Sequence, residues 1–385
     1  MKYIFLLSGD YIDLGREEIV SLFDVKKYEI FDKLLIVELK GNENSSNGIF
    51  KRLALTKNIH KFLFECKIDE LINRMKNFDW NSVYKNDFCL RVNRLDNNIK
   101  NAITKKSINE KRNKQIFNKK SLTTSLSKHN RGNPLDNISE KNLAGYIWRK
   151  IKNPKVKLEN PKTLIQLFII KDKVFCGLLV YQNKEDFEYR KSHLRPFPHP
   201  SSLHPKVARA LINITGIKNN EILLDPFCGT GGFLIEAGLM GIKTIGYDIN
   251  KIMIDGCVKN LKYYKINNYK IKNQNALDIN DKFDYAVTDL PYGLNSNAMV
   301  EYDKTDWKKG RINIKMQKEG FYKNLEGFYL KFLKNLRKKL KKKVVIVFPD
   351  YVDYKRLLKQ SKFKIEKEFE NYVHRSLTRK IVKIV

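Results

Sequence analysis

Between Ile222 and Asp248 the apolar run ILLD passes into the glycine-rich turn DPFCGTGG (Asp225 to Gly232), an apolar helix follows, and a second apolar strand closes on Asp248. A strand, a tight turn and a helix that returns the chain to a second, parallel strand form a βαβ unit, which admits few architectures. The flanks continue the alternation. Helices are expected at Lys206 to Ile214, Gly231 to Leu239 and Lys251 to Tyr264, and strands at Ile222 to Asp225, Lys243 to Asp248, Tyr285 to Asp289 and Val344 to Phe348. A basic helix around Phe321 to Leu340 lies between the last two strands. This pattern predicts an α/β fold with a doubly wound, mostly parallel sheet. Phe363 to Val373 and Thr378 to Val385, joined by a short loop, predict an antiparallel hairpin at its end.

At 385 residues the chain exceeds one ordinary core, so further domains are expected upstream. Residues 1–77 combine a strand-like opening, a helical stretch (Gly15 to Phe23) and an apolar run (Lys33 to Leu39), and read as a small α/β domain. Residues 78–182 hold a strand at Asp87 to Arg94, helical spacing at Asn142 to Lys152, and strands at Thr163 to Ile170 and Val174 to Tyr181. They are interrupted near 97–137 by a Lys-, Asn- and Ser-rich insertion, read either as a solvated loop or as an RNA-contacting arm. The proline-rich stretch LRPFPHPSSLHP (Leu194 to Pro205) marks a connection, with a linker at 183–200 and the last domain at 201–385.

A net charge of +33 favours a polyanionic partner, because neutralised phosphates release counterions, although part of the excess reflects a Lys-rich composition. Five dispersed cysteines without a CxxC pair argue against a zinc site or a disulfide framework. The apolar start is too short for a signal peptide, and no run approaches about 20 apolar residues. A cytoplasmic protein without membrane association is expected.

A dinucleotide-binding fold would carry GxGxxG; here an acid at the strand end precedes FxGxG, which resembles S-adenosylmethionine-dependent methyltransferases. Taken alone, such a turn is also compatible with a mere tight loop. The resemblance implies that Asp225 stands near the methionine ammonium and that Phe227, Gly229 and Gly231 border the cofactor. Asp248 and Ile249 would lie by the ribose, and Asn275 and Ala276 by the adenine. By itself Asp248 could equally be a helix N-terminal acid before Asn250. DLPYG (Asp289 to Gly293) resembles the D/N-P-P-Y/F motif of amino-methyltransferases. An exocyclic amine is a poor nucleophile because its lone pair is delocalised into the ring, so its hydrogens must be accepted and its nitrogen held in line with the methyl group. Asp289 and the Leu290 carbonyl suit that task, Pro291 stiffens the turn, and Tyr292 offers a stacking face. No metal is required.

Several blocks together resemble the archaeal-type THUMP-domain methyltransferases that modify N2 of guanosine at tRNA position 10. They are RPFPHPSSLHPKVARALIN (Arg195 to Asn213), DPFCGTGGFLIEAG (Asp225 to Gly238) and HRSLTR (His374 to Arg379). Ala144 to Val180 resembles the second half of a THUMP domain, and Met1 to Asn77 the ferredoxin-like domain that precedes it. The resemblance implies a Rossmann-like methyltransferase domain acting on tRNA as a monomer, with a small activating subunit left open. Rival readings are methylation of guanosine at tRNA position 6, an adenine N6 DNA methyltransferase, and an inactive RNA-binding THUMP protein. His199, His204 and His374 stand outside the expected chemistry; Arg375 and Arg379 would either contact RNA or brace the last hairpin.

Overall fold

The computed structural model describes residues 1–40, 48–95, 139–200, 202–292, 314–374 and 377–385; the insertion expected at 97–137 lies outside them. The chain forms two compact units, one of Met1–Leu7, Val25–Lys40 and Lys57–Gln182, the other of Ser8–Asp24, Gly41–Thr56 and Asn183–Val385. Among the described residues no helix is long and apolar enough to cross a membrane.

The first unit is built on β1 (Lys2–Leu7), β2 (Val25–Phe31), β3 (Leu34–Leu39), β4 (Thr56–Lys67), β5 (Phe88–Arg94), β6 (Thr163–Ile170) and β7 (Lys173–Gln182). They make one sheet in the order β2-β3-β1-β4-β7-β6-β5. Between β1 and β2 the chain forms α1 (Ile12–Leu22), which belongs to the other unit. The two-residue strand period divides the core: Ile165, Leu167 and Ile169 of β6 enter a cluster with Trp80, Leu143 and Ile147, whereas Phe168 packs with Ile4, Ile36 and Phe175. The first cluster holds α2 (Leu71–Asn77) and α3 (Glu140–Trp148), whose Leu143 and Ile147 are one helical turn apart. Ser139 caps α3 by accepting a hydrogen bond from the Asn142 N–H at 3.2 Å.

The second unit carries β8 (Ile222–Asp225), β9 (Lys243–Asp248), β10 (Tyr269–Asn273), β11 (Tyr285–Asp289), β12 (Val344–Pro349), β13 (Ile365–His374) and β14 (Leu377–Ile384). Their order is β10-β9-β8-β11-β12-β14-β13. The pairs from β10 to β12 are parallel, while β14 runs antiparallel to both β12 and β13, which is the doubly wound sheet with a terminal hairpin that the sequence predicts. Every residue of β12, VVIVFP, is buried, as expected of a central strand covered on both faces. Val344, Ile346 and Phe348 face a cluster that includes Phe332 and Leu336 of α7 (Ile314–Lys339) and Leu357 of α8 (Tyr354–Gln360). Val345 and Val347 face one with Leu211 of α4 (Pro205–Ile214) and Phe233 of α5 (Gly232–Leu239). The remaining helix, α6 (Lys251–Tyr263), is capped by Asn250, whose side chain accepts from the Ile252 N–H at 2.9 Å.

Buried charge fastens α1 to this unit. Glu18, fully shielded from solvent, accepts from the Ala54 N–H at 2.7 Å, the Leu55 N–H at 2.9 Å and the Asn213 amide at 2.7 Å. Burial raises its pKa, and these three donors oppose that rise. Lys383 of β14 donates to Glu17 at 2.9 Å and to Ser21 at 3.0 Å.

Candidate active site

Parallel strands of a doubly wound sheet deliver their carboxyl ends to one edge, where the topology leaves a crevice. At that edge β8 ends on Asp225, β9 on Asp248 and β11 on Asp289.

The turn after β8 is set by backbone sterics. Gly229 and Gly231 have φ of +50° and +89°, a region that side chains disfavour. A Cβ on Gly231 would also stand 2.8 Å from the Cys257 sulfur of α6, so this glycine serves helix packing. Gly229 differs, since nothing lies within 4 Å of where its Cβ would be, leaving its backbone open to a ligand. The Gly229 N–H donates to Asp248 Oδ2 at 2.9 Å, and the Asn250 N–H donates to Asp248 Oδ1 at 2.8 Å. Asp248 thus ends its strand and braces the start of α6 at once. Burial raises its pKa.

Asp225 is almost fully enclosed and, among the described residues, meets neutral donors, the Phe227 N–H at 3.2 Å and the Thr288 hydroxyl at 3.0 Å. Burial therefore pushes its carboxyl up to about 8. Phe227 packs edge-on against Phe332 of α7 with ring centroids 5.0 Å apart. Ile249 is half exposed, and the Asn273 amide donates to its carbonyl at 2.8 Å and to that of Asp248 at 2.9 Å. Asn275 turns inward to accept from the Leu277 N–H at 2.9 Å, and Ala276 is buried in the core beneath.

At the end of β11 the environment is different. Arg379 of β14 brings Nη2 to 3.6 Å from Asp289 Oδ2 and donates Nε–H to the Tyr292 hydroxyl at 3.0 Å, while that hydroxyl donates to Asp289 Oδ1. Burial pushes Asp289 up to about 6, and the Arg379 cation and the Tyr292 hydroxyl oppose the rise. Leu290 is buried and its N–H donates to the Val347 carbonyl at 3.2 Å. The Tyr329 hydroxyl of α7 donates to the Pro291 carbonyl, and the Tyr351 hydroxyl donates to that of Tyr292. The DLPY turn is thereby held from four directions, by β14, by β12, by α7 and by the loop after β12. Gly293, which ends the motif, lies outside the described residues.

The sequence-predicted acids therefore meet along one strand edge: Thr288, adjacent to Asp289, bonds to Asp225, and Asp248 bonds to the turn that follows Asp225. Sequence reasoning missed Thr288, Tyr329 and Tyr351, which hold the site, and left Arg379 outside the chemistry. The only sequence signal for Arg379 was its place in HRSLTR; Arg375 and Ser376 of that block lie outside the described residues. His204 caps α4 through Nδ1, which accepts from the Lys206 N–H at 3.2 Å, consistent with a structural place in the connection. Among the described residues no cluster of His, Cys, Asp and Glu stands ready to hold a metal.

A family model described as RMKL-like, methyltransferase domain, matches residues 192–304. A tRNA (guanine(10)-N2)-dimethyltransferase of Methanothermobacter thermautotrophicus is 29% identical over 99% of this chain and 98% of its own length. One of Methanocaldococcus jannaschii is 31% identical over 78% of this chain and 85% of its own length. A tRNA (guanine(6)-N2)-methyltransferase of the same organism is 31% identical, but over 32% of this chain and 36% of its own length.

Proposed function

The chain belongs to the family of tRNA (guanine(10)-N2)-dimethyltransferases, and from that premise we propose that it methylates N2 of the guanosine at position 10 of tRNA, once and then again. The observation that carries the reading is the juxtaposition, on neighbouring strand ends, of a glycine turn open above Gly229 and the partly buried carboxyl of Asp289 in DLPY. The residues fit S-adenosylmethionine. Gly229 leaves its backbone uncovered, Asp225 offers a buried carboxyl with no cation of its own among the described residues, and Asp248 offers lone pairs for ribose hydroxyls. When bound, the cofactor supplies an electrophilic methyl group on a sulfonium.

What this chain's residues do is positioning. Asp225 would hold the cofactor's amino acid and Asp248 its ribose, and Phe227, Ile249, Asn275 and Ala276 would border it. Asp289 accepts a hydrogen bond from the guanine N2–H, which draws the nitrogen lone pair out of the ring, and the Leu290 carbonyl takes the second hydrogen. The Tyr292 ring, fixed through its hydroxyl, gives the extruded base a face to stack on, which contributes roughly 1–3 kcal/mol. Asp289 would take the proton that the amine loses after transfer and pass it to solvent, and once the spent thioether is exchanged for fresh cofactor the same nitrogen can be methylated again.

Position 10 is favoured over position 6 because two relatives named for position 10 align along 99% and 78% of the chain, whereas two named for position 6 align along 32% and 36% of it. Residues 78–182, with β5, β6, β7 and α3, are read as the THUMP region that grips the tRNA acceptor end, and the net charge of +33 supports an RNA partner. Incubation of the protein with unmodified tRNA transcripts and labelled cofactor, followed by nuclease mapping, tests the reading. N2-methylguanosine and N2,N2-dimethylguanosine at position 10, absent with Asp289→Ala, are expected. Label at another nucleotide, or label undiminished in the variant, would overturn it.

A further inference from the structure

We propose that Arg379 is the positioning residue of this reaction: from β14 it clamps the Asp289 carboxylate and the Tyr292 hydroxyl into one ring, so that Asp289 meets the amine as an anion. The proposal rests on the methyl-transfer reading and deepens it.

Topology puts Arg379 there. Because β14 runs antiparallel to β12, its beginning lies against the end of β12, with Arg379 opposite Pro349, while Asp289 of β11 lies opposite Val347 of the same strand. A residue near the end of the chain thereby reaches the carboxyl edge of the parallel strands. The ring then closes through three contacts: Arg379 Nη2 to Asp289 Oδ2 at 3.6 Å, Arg379 Nε–H to the Tyr292 oxygen at 3.0 Å, and the Tyr292 O–H to Asp289 Oδ1. Arg379 itself is buried, and its guanidinium carbon stands 5.7 Å from the centre of the Tyr292 ring. It holds the phenol at its hydroxyl, which anchors the end of the side chain offered to a base.

The surroundings of Asp289 offer its anion little else. From β8 comes the carboxyl of Asp225, which burial holds up at about 8, from β11 the neutral hydroxyl of Thr288, and from α7 the phenol of Tyr329, with Tyr351 beside it. Among the described residues Arg379 is the cation that opposes the burial of Asp289. A carboxylic acid in place of the carboxylate would present one oxygen as a donor toward an amine that needs acceptors.

The test is the pH dependence of methyl transfer under single turnover for wild type, Arg379→Gln and Arg379→Lys. Removing an opposite charge at this range raises a carboxyl pKa by about 1–3, so the acid limb, expected near pH 6 in wild type, moves up by that amount in Arg379→Gln. At a pH on the limb the variant is then slower than wild type by roughly 10- to 1000-fold, and its rate recovers at alkaline pH with the KM for tRNA little changed. Arg379→Lys, which keeps the charge, holds the limb near its wild-type position and serves if Arg379→Gln does not fold. A limb that stays in place while the KM for tRNA rises overturns the proposal and assigns Arg379 to RNA contact. A rate loss equal at every pH also overturns it. A wild-type protein that methylates no tRNA refutes the methyl-transfer reading instead. In that case 13C NMR titration of the Asp289 carboxyl, assigned by its loss in Asp289→Asn, decides on Arg379, supporting it if the titration moves up in Arg379→Gln and refuting it if not.

Discussion

Asp225 and Asp289 end neighbouring parallel strands, the first buried and the second partly so, yet burial leaves one at about 8 and the other at about 6. The difference comes from their partners. Asp225 meets a hydroxyl and a backbone N–H, which stabilise its anion only weakly, whereas Asp289 meets the guanidinium of Arg379 and the phenol of Tyr292. A carboxyl without a counter-charge is a site waiting for a cation, such as the ammonium of a bound amino acid. A carboxyl already paired is ready to accept hydrogen bonds from a neutral amine. One strand edge thus supplies two acids in different environments, which on the proposed reading have separate tasks.

The comparison breaks most visibly at Asp289. Asp289→Asn should lower methyl transfer by roughly 10²–10⁴-fold, the range for a positioned acceptor, while leaving the affinity for S-adenosylmethionine unchanged by calorimetry. Weakened cofactor binding in this variant would merge the two roles.

Asp225 should show the reverse pattern. Losing a charge-assisted hydrogen bond worth about 1.5–3 kcal/mol raises the cofactor Kd in Asp225→Asn by roughly one to two orders of magnitude. Because the free carboxyl is largely protonated at pH 7, cofactor binding should also release a proton in wild type and not in the variant. Calorimetry in buffers of different ionisation enthalpy reads that proton.

The same burial also acts on stability. A carboxyl raised from 3.8 to about 8 binds a proton more tightly in the folded than in the unfolded state, so it disfavours folding increasingly as pH rises from about 4 to about 8. The Tm of wild type should therefore fall across that window relative to Asp225→Asn, and parallel curves would mean that Asp225 is not held as an acid.

How much of this the sequence discloses depends on burial. Strands β8, β9, β11 and β12 are covered on both faces, so they read as apolar runs and lie within a residue or two of expectation. Strand β2, VKKYEIF, is largely exposed and has no such run; it exists because its backbone pairs with β3. Strand β10, YKIKN, stands at a sheet edge, so placing Asn275 and Ala276 after it depended on the family resemblance rather than on an apolar pattern. The attachment of α1 was illegible because Glu18 finds its donors at Ala54, Leu55 and Asn213, far away in the chain. The motif acids were legible, each ending an apolar strand. Arg379 was not, because only the antiparallel course of β14 brings it to Asp289.

The central claim, transfer to the exocyclic amine of one guanosine, is tested most directly with two tRNA transcripts that differ only at position 10, one carrying guanosine and the other inosine, which lacks that amine. Labelled methyl groups should enter the guanosine transcript alone, at position 10. Equal labelling of the inosine transcript would contradict the account, since the methyl acceptor would then be another atom.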